Sequence, residues 1–227
     1  MTTHYRNVSA VEPVHLPSAA SRAPATGPYK MGLKRVFDIA AILVSLPIVL
    51  PVMLVLILMV AIEGRPVFYW QARIGRKGRI YRIWKLRTME LNADDLLRSH
   101  LAHDATAATE WASTQKLKND PRITPVGRIL RKCSLDELPQ LWNVFTGDMS
   151  LVGPRPMMPE QRDIYPGEAY FDERPGITGT WQVSERNKST FADRARFDTD
   201  YIDTMSFAGD IKLLLATVVV VFRGTGY

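Results

Sequence analysis

Apolar and polar residues are distributed very unevenly along this chain. Residues 1–29 are rich in Ala, Ser, Pro and Thr and show no apolar period, a composition that predicts a disordered tail. No apolar run precedes residue 30, so the tail does not read as a secretory signal peptide. The next regime is its opposite. Ile39 to Ile62, IAAILVSLPIVLPVMLVLILMVAI, carries no charged residue, and about 20 apolar residues in a helix suffice to span a bilayer. Two features argue against a plain span. Pro47 and Pro51 lie inside the run, and an internal proline removes a helical hydrogen bond and kinks the helix. Both flanks are also basic: Lys30, Lys34 and Arg35 precede the run, and Arg65, Arg73, Arg76, Lys77 and Arg79 follow it. Lysine and arginine mark the cytoplasmic side of a membrane segment, so a single span puts one cluster on the wrong side, whereas a kinked helix that enters and returns does not. On these residues alone the re-entrant helix and the plain transmembrane anchor both stand. A buried core helix of a soluble domain is disfavoured, because such helices rarely stay charge-free for so long.

After Glu63 the pattern becomes that of a mixed, basic domain. VFYWQARIGRKGRIYRIWKLRTM places aromatic and β-branched residues around Gly75 and Gly78, which predicts a short hairpin. Residues 91–117 read as helix and end near NDPRITPVG, a Pro/Gly-punctuated loop. Further helices are predicted over 135–146 and about 191–204. The apolar run in DIKLLLATVVVVF is too short to span; it suits either the core or a membrane interface. The fold class expected is α+β and mainly helical, with short β-hairpins and interfacial amphipathic helices. The domains expected are a tail over 1–29, a membrane helix over 30–63 and a mixed, basic domain over 64–227.

Composition adds two constraints. Lys and Arg number 29 against 23 Asp and Glu, a net charge of +6, which suits nucleic acid, anionic lipid or phosphorylated substrates without choosing among them. The single cysteine, Cys133, excludes an internal disulfide framework and a multi-cysteine zinc site.

The candidate chemistry sits in SLDELPQLWNVFTGDMSLVGPRP, Ser134 to Pro156. Ser134-Leu-Asp-Glu137 fits the S-x-x-E capping box at a helix start. Leu135, Leu138, Leu141, Trp142 and Phe145 then form an apolar stripe, and Gly147 ends the helix. On the plain reading the acids merely begin a helix. On the functional reading, Asp136 feels the positive end of the helix dipole, which predicts a lowered pKa and an ionised carboxylate. Asp136, Gln140 and Asn143 fall on one polar face. Carboxylates serve as covalent nucleophiles toward phosphorus and hold Mg²⁺ together with substrate phosphates. An anion attacking an anionic phosphate needs neutralisation, for which Arg131 and Arg155 stand close in sequence. Arg155 is held in the stiff Gly153-Pro-Arg-Pro156 turn; its plain reading is a solvated loop charge.

These residues, taken in order, resemble the bacterial sugar transferases, or monotopic phosphoglycosyl transferases, over about residues 31–227. The series is KRVFDI, RIGRKG, WKLRTM, DPRITPVGRILRKCSLDELPQLWNVFTGDMSLVGPRP, RPGITGTWQVSERN and FDTDYI. In length and layout the chain is close to the small rhizobial enzymes that initiate exopolysaccharide assembly. The resemblance implies transfer of a sugar 1-phosphate from a UDP-sugar to polyprenol (undecaprenyl) phosphate, giving UMP and a polyprenyl-diphosphate sugar, with Mg²⁺ as cofactor. It places the family's Asp-Glu dyad on Asp136 and Glu137, with Asp136 as nucleophile and metal ligand and the role of Glu137 unsettled. It places phosphate-contacting arginines on Arg131 and Arg155, and a basic pair on Lys85 and Arg87. It implies a re-entrant helix broken at a proline, here aligned at Leu50-Pro51, and a catalytic domain on the cytoplasmic face of the bacterial inner membrane. Two departures stand out: Glu185 where the family has glycine, and Ala72 where it often has glutamate.

Two rival classes remain. A non-catalytic scaffold in a polysaccharide assembly complex would use the same anchor and basic surface, but has no need of Asp136, Glu137 and Arg155 together. A nucleic-acid binder would use the charge, but no binding motif is present, and anionic lipid and sugar nucleotide account for the charge better. His100 and His103 lack a third ligand for zinc. The sequence does not name the sugar, galactose or glucose, nor the oligomeric state, for which a homodimer is one option.

Overall fold

The computed structural model describes residues 27–114, 117–184 and 191–223. Most of the tail expected over 1–29, and Glu185, lie outside the described residues. A short turn of π-helix over Tyr29–Leu33 leads into α1 (Lys34–Ile62). There follow β1 (Phe68–Ile74), β2 (Ile80–Leu86), α2 (Ala93–His103), α3 (Ala105–Thr114), α4 (Pro125–Lys132), α5 (Gln140–Thr146) and β3 (Ser150–Val152), then β4 (Gly176–Thr178), α6 (Thr180–Val183), α7 (Arg194–Thr204) and α8 (Phe207–Arg223). The chain is mainly helical, as expected, with two short two-stranded sheets: the β1–β2 hairpin and a parallel β3–β4 pair. The hairpin turns through Arg76–Gly78, with Lys77 in the left-handed region at φ 57°.

α1 is helical without interruption through Pro47 and Pro51. Each proline deletes one ladder bond, leaving the Leu43 and Pro47 carbonyls without their helical donors, yet the helix continues through both. Among the described residues this is the one helix long and apolar enough to cross a membrane. Its apolar side chains are largely bare: Val44 is 80% exposed and Ile48 73%.

The chain forms two compact units. The first comprises the described parts of Met1–Pro47, Trp70–Trp84 and Pro139–Val220. Its core gathers Ile42, Tyr81, Ile83, Val144 and Met149, a second cluster around Tyr165, Tyr170 and Met157, and a third around Val152, Tyr201 and Ile202. Asp210 of α8 is fully buried and is a hub: it accepts from Tyr29 Oη at 2.7 Å, Lys34 Nζ at 2.5 Å and Tyr201 Oη at 2.9 Å. Asp38 accepts from Ser150 Oγ at 2.8 Å and the Leu151 amide at 3.1 Å, which ties α1 to β3. The β3–β4 pairing sets Ser150 beside Gly176. Only glycine fits at 176, where a Cβ would lie 2.1 Å from the Gly153 nitrogen. α8 buries Leu213 and Leu214 in the third cluster yet exposes Phe207, Leu215, Val218 and Val219, so it packs in the core and presents an apolar face at once.

The second unit comprises Ile48–Tyr69, Lys85–Leu138 and the described part of Val221–Tyr227. Leu56, Val60, Leu86 and Leu130 form its core, with Val126, Leu135 and Leu138 packed around them. The helix expected over 91–117 is two helices, because Asp104 is extended between them and caps the second by accepting from the Thr106 and Ala107 amides.

Candidate active site

The candidate site is assembled in the second unit. Thr124 caps α4, its Oγ1 accepting from the Gly127 amide at 2.9 Å, and Pro125 occupies the first turn. Glu63, just past α1, adds a carboxylate to the same helix end and accepts from the Val126 amide at 2.9 Å. The Thr124 amide donates to the Thr88 carbonyl at 3.1 Å. The approach at Gly127 is tighter still, since a Cβ there would lie 2.2 Å from the Thr88 oxygen. α4 is thus laid directly against the segment leaving β2. This fixes Arg131, whose Nε donates to Thr88 Oγ1 at 2.9 Å.

Beyond α4 the expected helix start does not form. Ser134 is left-handed at φ 54° and its side chain makes no capping bond. The predicted capping box is therefore absent. The chain makes one 3₁₀ turn over Leu135–Glu137, and α5 begins only at Gln140, after Pro139. Pro139 lacks the amide a continuous helix would use there. The apolar stripe is also redistributed: Gln140 and Asn143 are buried, while Trp142 and Phe145 are 60% and 45% exposed and stack on each other. Asn143 explains this inversion, since its side chain donates to the Arg82 carbonyl at 2.7 Å and accepts from the Trp84 amide at 3.0 Å.

The 3₁₀ turn carries the acidic pair to Lys85, the penultimate residue of β2. Lys85 Nζ lies 2.6 Å from Glu137 Oε1 and 3.8 Å from Asp136 Oδ2. Asp136 is 8% exposed. Burial pushes its carboxyl pKa up; Lys85 opposes this, Glu137 adds to it, and Arg131 opposes it. This corrects the expectation of a lowered pKa: without a helix starting at Ser134 the dipole that would favour the anion is missing, and desolvation wins. Burial likewise pulls Arg131 below the usual guanidinium range, against the attraction of Asp136 and Asp120.

The structure thus brings Lys85, Asp136 and Glu137 together, with Arg131 in electrostatic contact with Asp136. Arg87 is buried and directed elsewhere: it donates to the Gly64 carbonyl at 2.8 Å, holding the chain just beyond α1. Arg155 stands in the first unit. Its guanidinium lies 5.6 Å from the centre of the Trp181 ring, and Arg194 lies 5.3 Å from the same ring while donating to the Arg155 carbonyl at 2.7 Å. Sequence reasoning missed Thr88, Glu63, Trp181 and Arg194. Thr88 alone had a local signal, as its hydroxyl follows the Lys85/Arg87 pair. The others become partners only through the fold.

The residues fit a divalent cation by donor chemistry. Magnesium is usually held by one or two carboxylates together with substrate phosphates and water, and Asp136 and Glu137 offer two adjacent carboxylates. A nearby cation would also offset the burial cost of the Asp136 anion.

Comparison with known proteins agrees with the motif order. A family model described as bacterial sugar transferase matches residues 29–224. The chain is 44% identical over 196 residues to the UDP-galactose-lipid carrier transferase of Erwinia amylovora, covering 86% of this chain and 41% of that one. It is 45% identical over 196 residues to the undecaprenyl-phosphate galactose phosphotransferase of Salmonella typhimurium, again covering 86% and 41%. The exopolysaccharide production protein ExoY of Rhizobium meliloti is 41% identical, with 85% of this chain and 87% of that protein covered. The chain therefore spans well under half the length of the first two relatives and most of the third.

Proposed function

The chain belongs to the bacterial sugar transferase family, and from that premise we propose that it transfers a sugar 1-phosphate from a UDP-sugar to a polyprenyl phosphate, opening exopolysaccharide assembly at the membrane. The names of its relatives support the reaction class. The observation that carries the assignment is the buried Asp136 carboxylate set beside Glu137, Lys85 and Arg131. A carboxylate poised for attack must be poorly solvated yet able to ionise: burial strips water and raises its pKa, while Lys85 and Arg131 pull that pKa back down.

In the first half-reaction an Asp136 oxygen attacks the β-phosphorus of the donor. The bond between that phosphorus and the oxygen bridging to the α-phosphate breaks, and UMP leaves with the bonding pair. In the second, an oxygen of polyprenyl phosphate attacks the same phosphorus. The aspartyl–phosphorus bond breaks, the carboxylate is regenerated, and the diphosphate-linked sugar departs. Lys85 and Arg131 neutralise charge that accumulates on the phosphoryl oxygens. Lys85 also holds Glu137, which fixes that carboxylate beside the nucleophile. Arg155 contributes to donor phosphate binding. Asp136 would hold Mg²⁺, which supplies further charge neutralisation on the donor phosphates. The bare apolar surface of α1 supports membrane insertion, and the basic residues on both flanks support a re-entrant course with the catalytic part cytoplasmic at the inner membrane.

Brief incubation with labelled UDP-galactose or UDP-glucose, an acid quench and peptide mass spectrometry should find sugar phosphate on the peptide holding Asp136, with UMP released before acceptor is added. Full transfer by Asp136→Asn would exclude the covalent route.

A further inference from the structure

The first unit carries two clefts that share no residue with the acidic pair. One, of about 290 Å³, is walled by the hairpin tip at Arg76, Lys77 and Arg79 together with Arg174 and the end of α5 at Gly147 and Asp148. The other, of about 180 Å³, opens at the entry to α1 between Lys30, Met31, Lys34 and Arg35; Arg76 and Arg174 line both. Basic side chains outnumber acidic ones in these walls by more than two to one.

Lys34 is paired with buried Asp210, and Asp148 stands in the wall of the first cleft, but the arginines are held mainly by neutral groups. Three of the arginines are fixed by neutral partners: Arg35 donates to the Val144 and Phe145 carbonyls, Arg76 to that of Asp172 at 2.9 Å, and Arg174 to that of Gly147 at 2.8 Å. Lys77 and Arg79 are exposed and have no carboxylate partner among the described residues. Of the acids, Asp38 is committed to Ser150 and Leu151, and burial raises the pKa of Glu173 against the pull of Arg76, Lys34 and Arg174. Burial and the neighbouring Arg76 and Arg35 charges pull the Arg174 pKa down. Guanidiniums held in place with donors to spare, and repelling one another, are prepared for an anion with several acceptor oxygens.

The rim of the second cleft says which anion. Met31 lines it and is 81% exposed, and Leu33 and Val36 of the adjoining turns are 55% and 63% exposed. A soluble phosphate gains nothing from such a rim. A lipid phosphodiester does, because its acyl chains leave the headgroup over apolar surface while its charge meets the basic residues. We propose that these neighbouring clefts, which share Arg76 and Arg174, are a non-catalytic site for the phosphate of an anionic membrane phospholipid, seating the first unit on the bilayer where α1 begins. The proposal requires the chain to sit at a membrane but not the transfer chemistry.

The test uses the full chain in nonionic detergent, titrated with dioctanoyl phosphatidylglycerol, dioctanoyl phosphatidylcholine and inorganic phosphate, with ³¹P NMR as readout and no sugar nucleotide present. Phosphatidylglycerol should bind at least tenfold more tightly than either comparison ligand. The doubly substituted Lys77→Gln/Arg79→Gln chain, altered only at exposed positions, should bind it about 30-fold more weakly, as expected for two basic residues at an anionic lipid surface. Its circular dichroism and its sugar-phosphate transfer in detergent should stay at wild-type levels. Equal binding of the two phospholipids, unchanged binding by the double variant, or equal binding of inorganic phosphate would each overturn the assignment.

Discussion

Asp136 sits in a protein environment that favours its proton, because burial outweighs the pull of Lys85 and Arg131. The consequence for stability follows from linkage. A carboxyl whose folded pKa is raised contributes stability that is complete below the unfolded pKa and is lost as pH rises through the folded one. Above the folded pKa the anion is therefore held at a cost to the fold. Asp136→Asn, which keeps the shape without the charge, should abolish transfer while its melting temperature at pH 7 equals or exceeds that of the wild type; a large drop would show that the carboxylate is structural. Lys85 works in the opposite sense, since it lowers the Asp136 pKa. Lys85→Gln should move the acidic limb of the pH–activity profile upward and reduce activity throughout. An unshifted limb would mean that another group sets it.

At the scale of elements, the site depends on how closely α4 lies against the chain leaving β2. Gly127 permits this contact, with no room for a Cβ against the Thr88 carbonyl. Backbone, unlike a flexible side-chain tip, cannot yield cheaply, so Gly127→Ala should cost about 1–3 kcal/mol and displace Arg131 from Thr88. Gly32, where a Cβ meets nothing within 4 Å, provides the control substitution. Thermal unfolding in detergent should separate the two variants, and donor affinity should fall only in Gly127→Ala. Equal melting temperatures would refute the close approach. The same scale explains why the helix expected from Ser134 onward is divided. Its periodicity was genuine, but Ser134 in the left-handed region and the proline at 139 interrupt the ladder. That break turns Asp136 toward Lys85.

For the whole molecule, the course of α1 decides where the site works. Cysteines introduced one at a time at Ala20 and Lys77, in a Cys133→Ser background, should both be shielded from an impermeant thiol reagent in intact cells if the helix returns to the side it entered from. Labelling at residue 20 alone would establish a spanning helix. If the helix returns, replacing Pro51, together with Pro47 where one change does not suffice, should shift residue 20 toward labelling, because restoring the two ladder bonds favours a straight helix.

Much of this protein is legible in its residues. The charge-free run between basic flanks, the hairpin around Gly75 and Gly78, and the order of motifs that marks the family are local properties of the chain, and local pattern suffices to read them. The acidic pair was also legible as a candidate site. Its environment was not. Whether Asp136 meets a helix dipole or a desolvated pocket depends on Lys85, more than fifty residues earlier in the chain, and on the conformation of Ser134. The buried polar face of α5 depends on Asn143 finding the free backbone of β2, and the basic clefts depend on Arg174 and the hairpin tip converging from distant segments. Burial and Coulomb interaction are set by distance in space, and tertiary structure alone determines those distances.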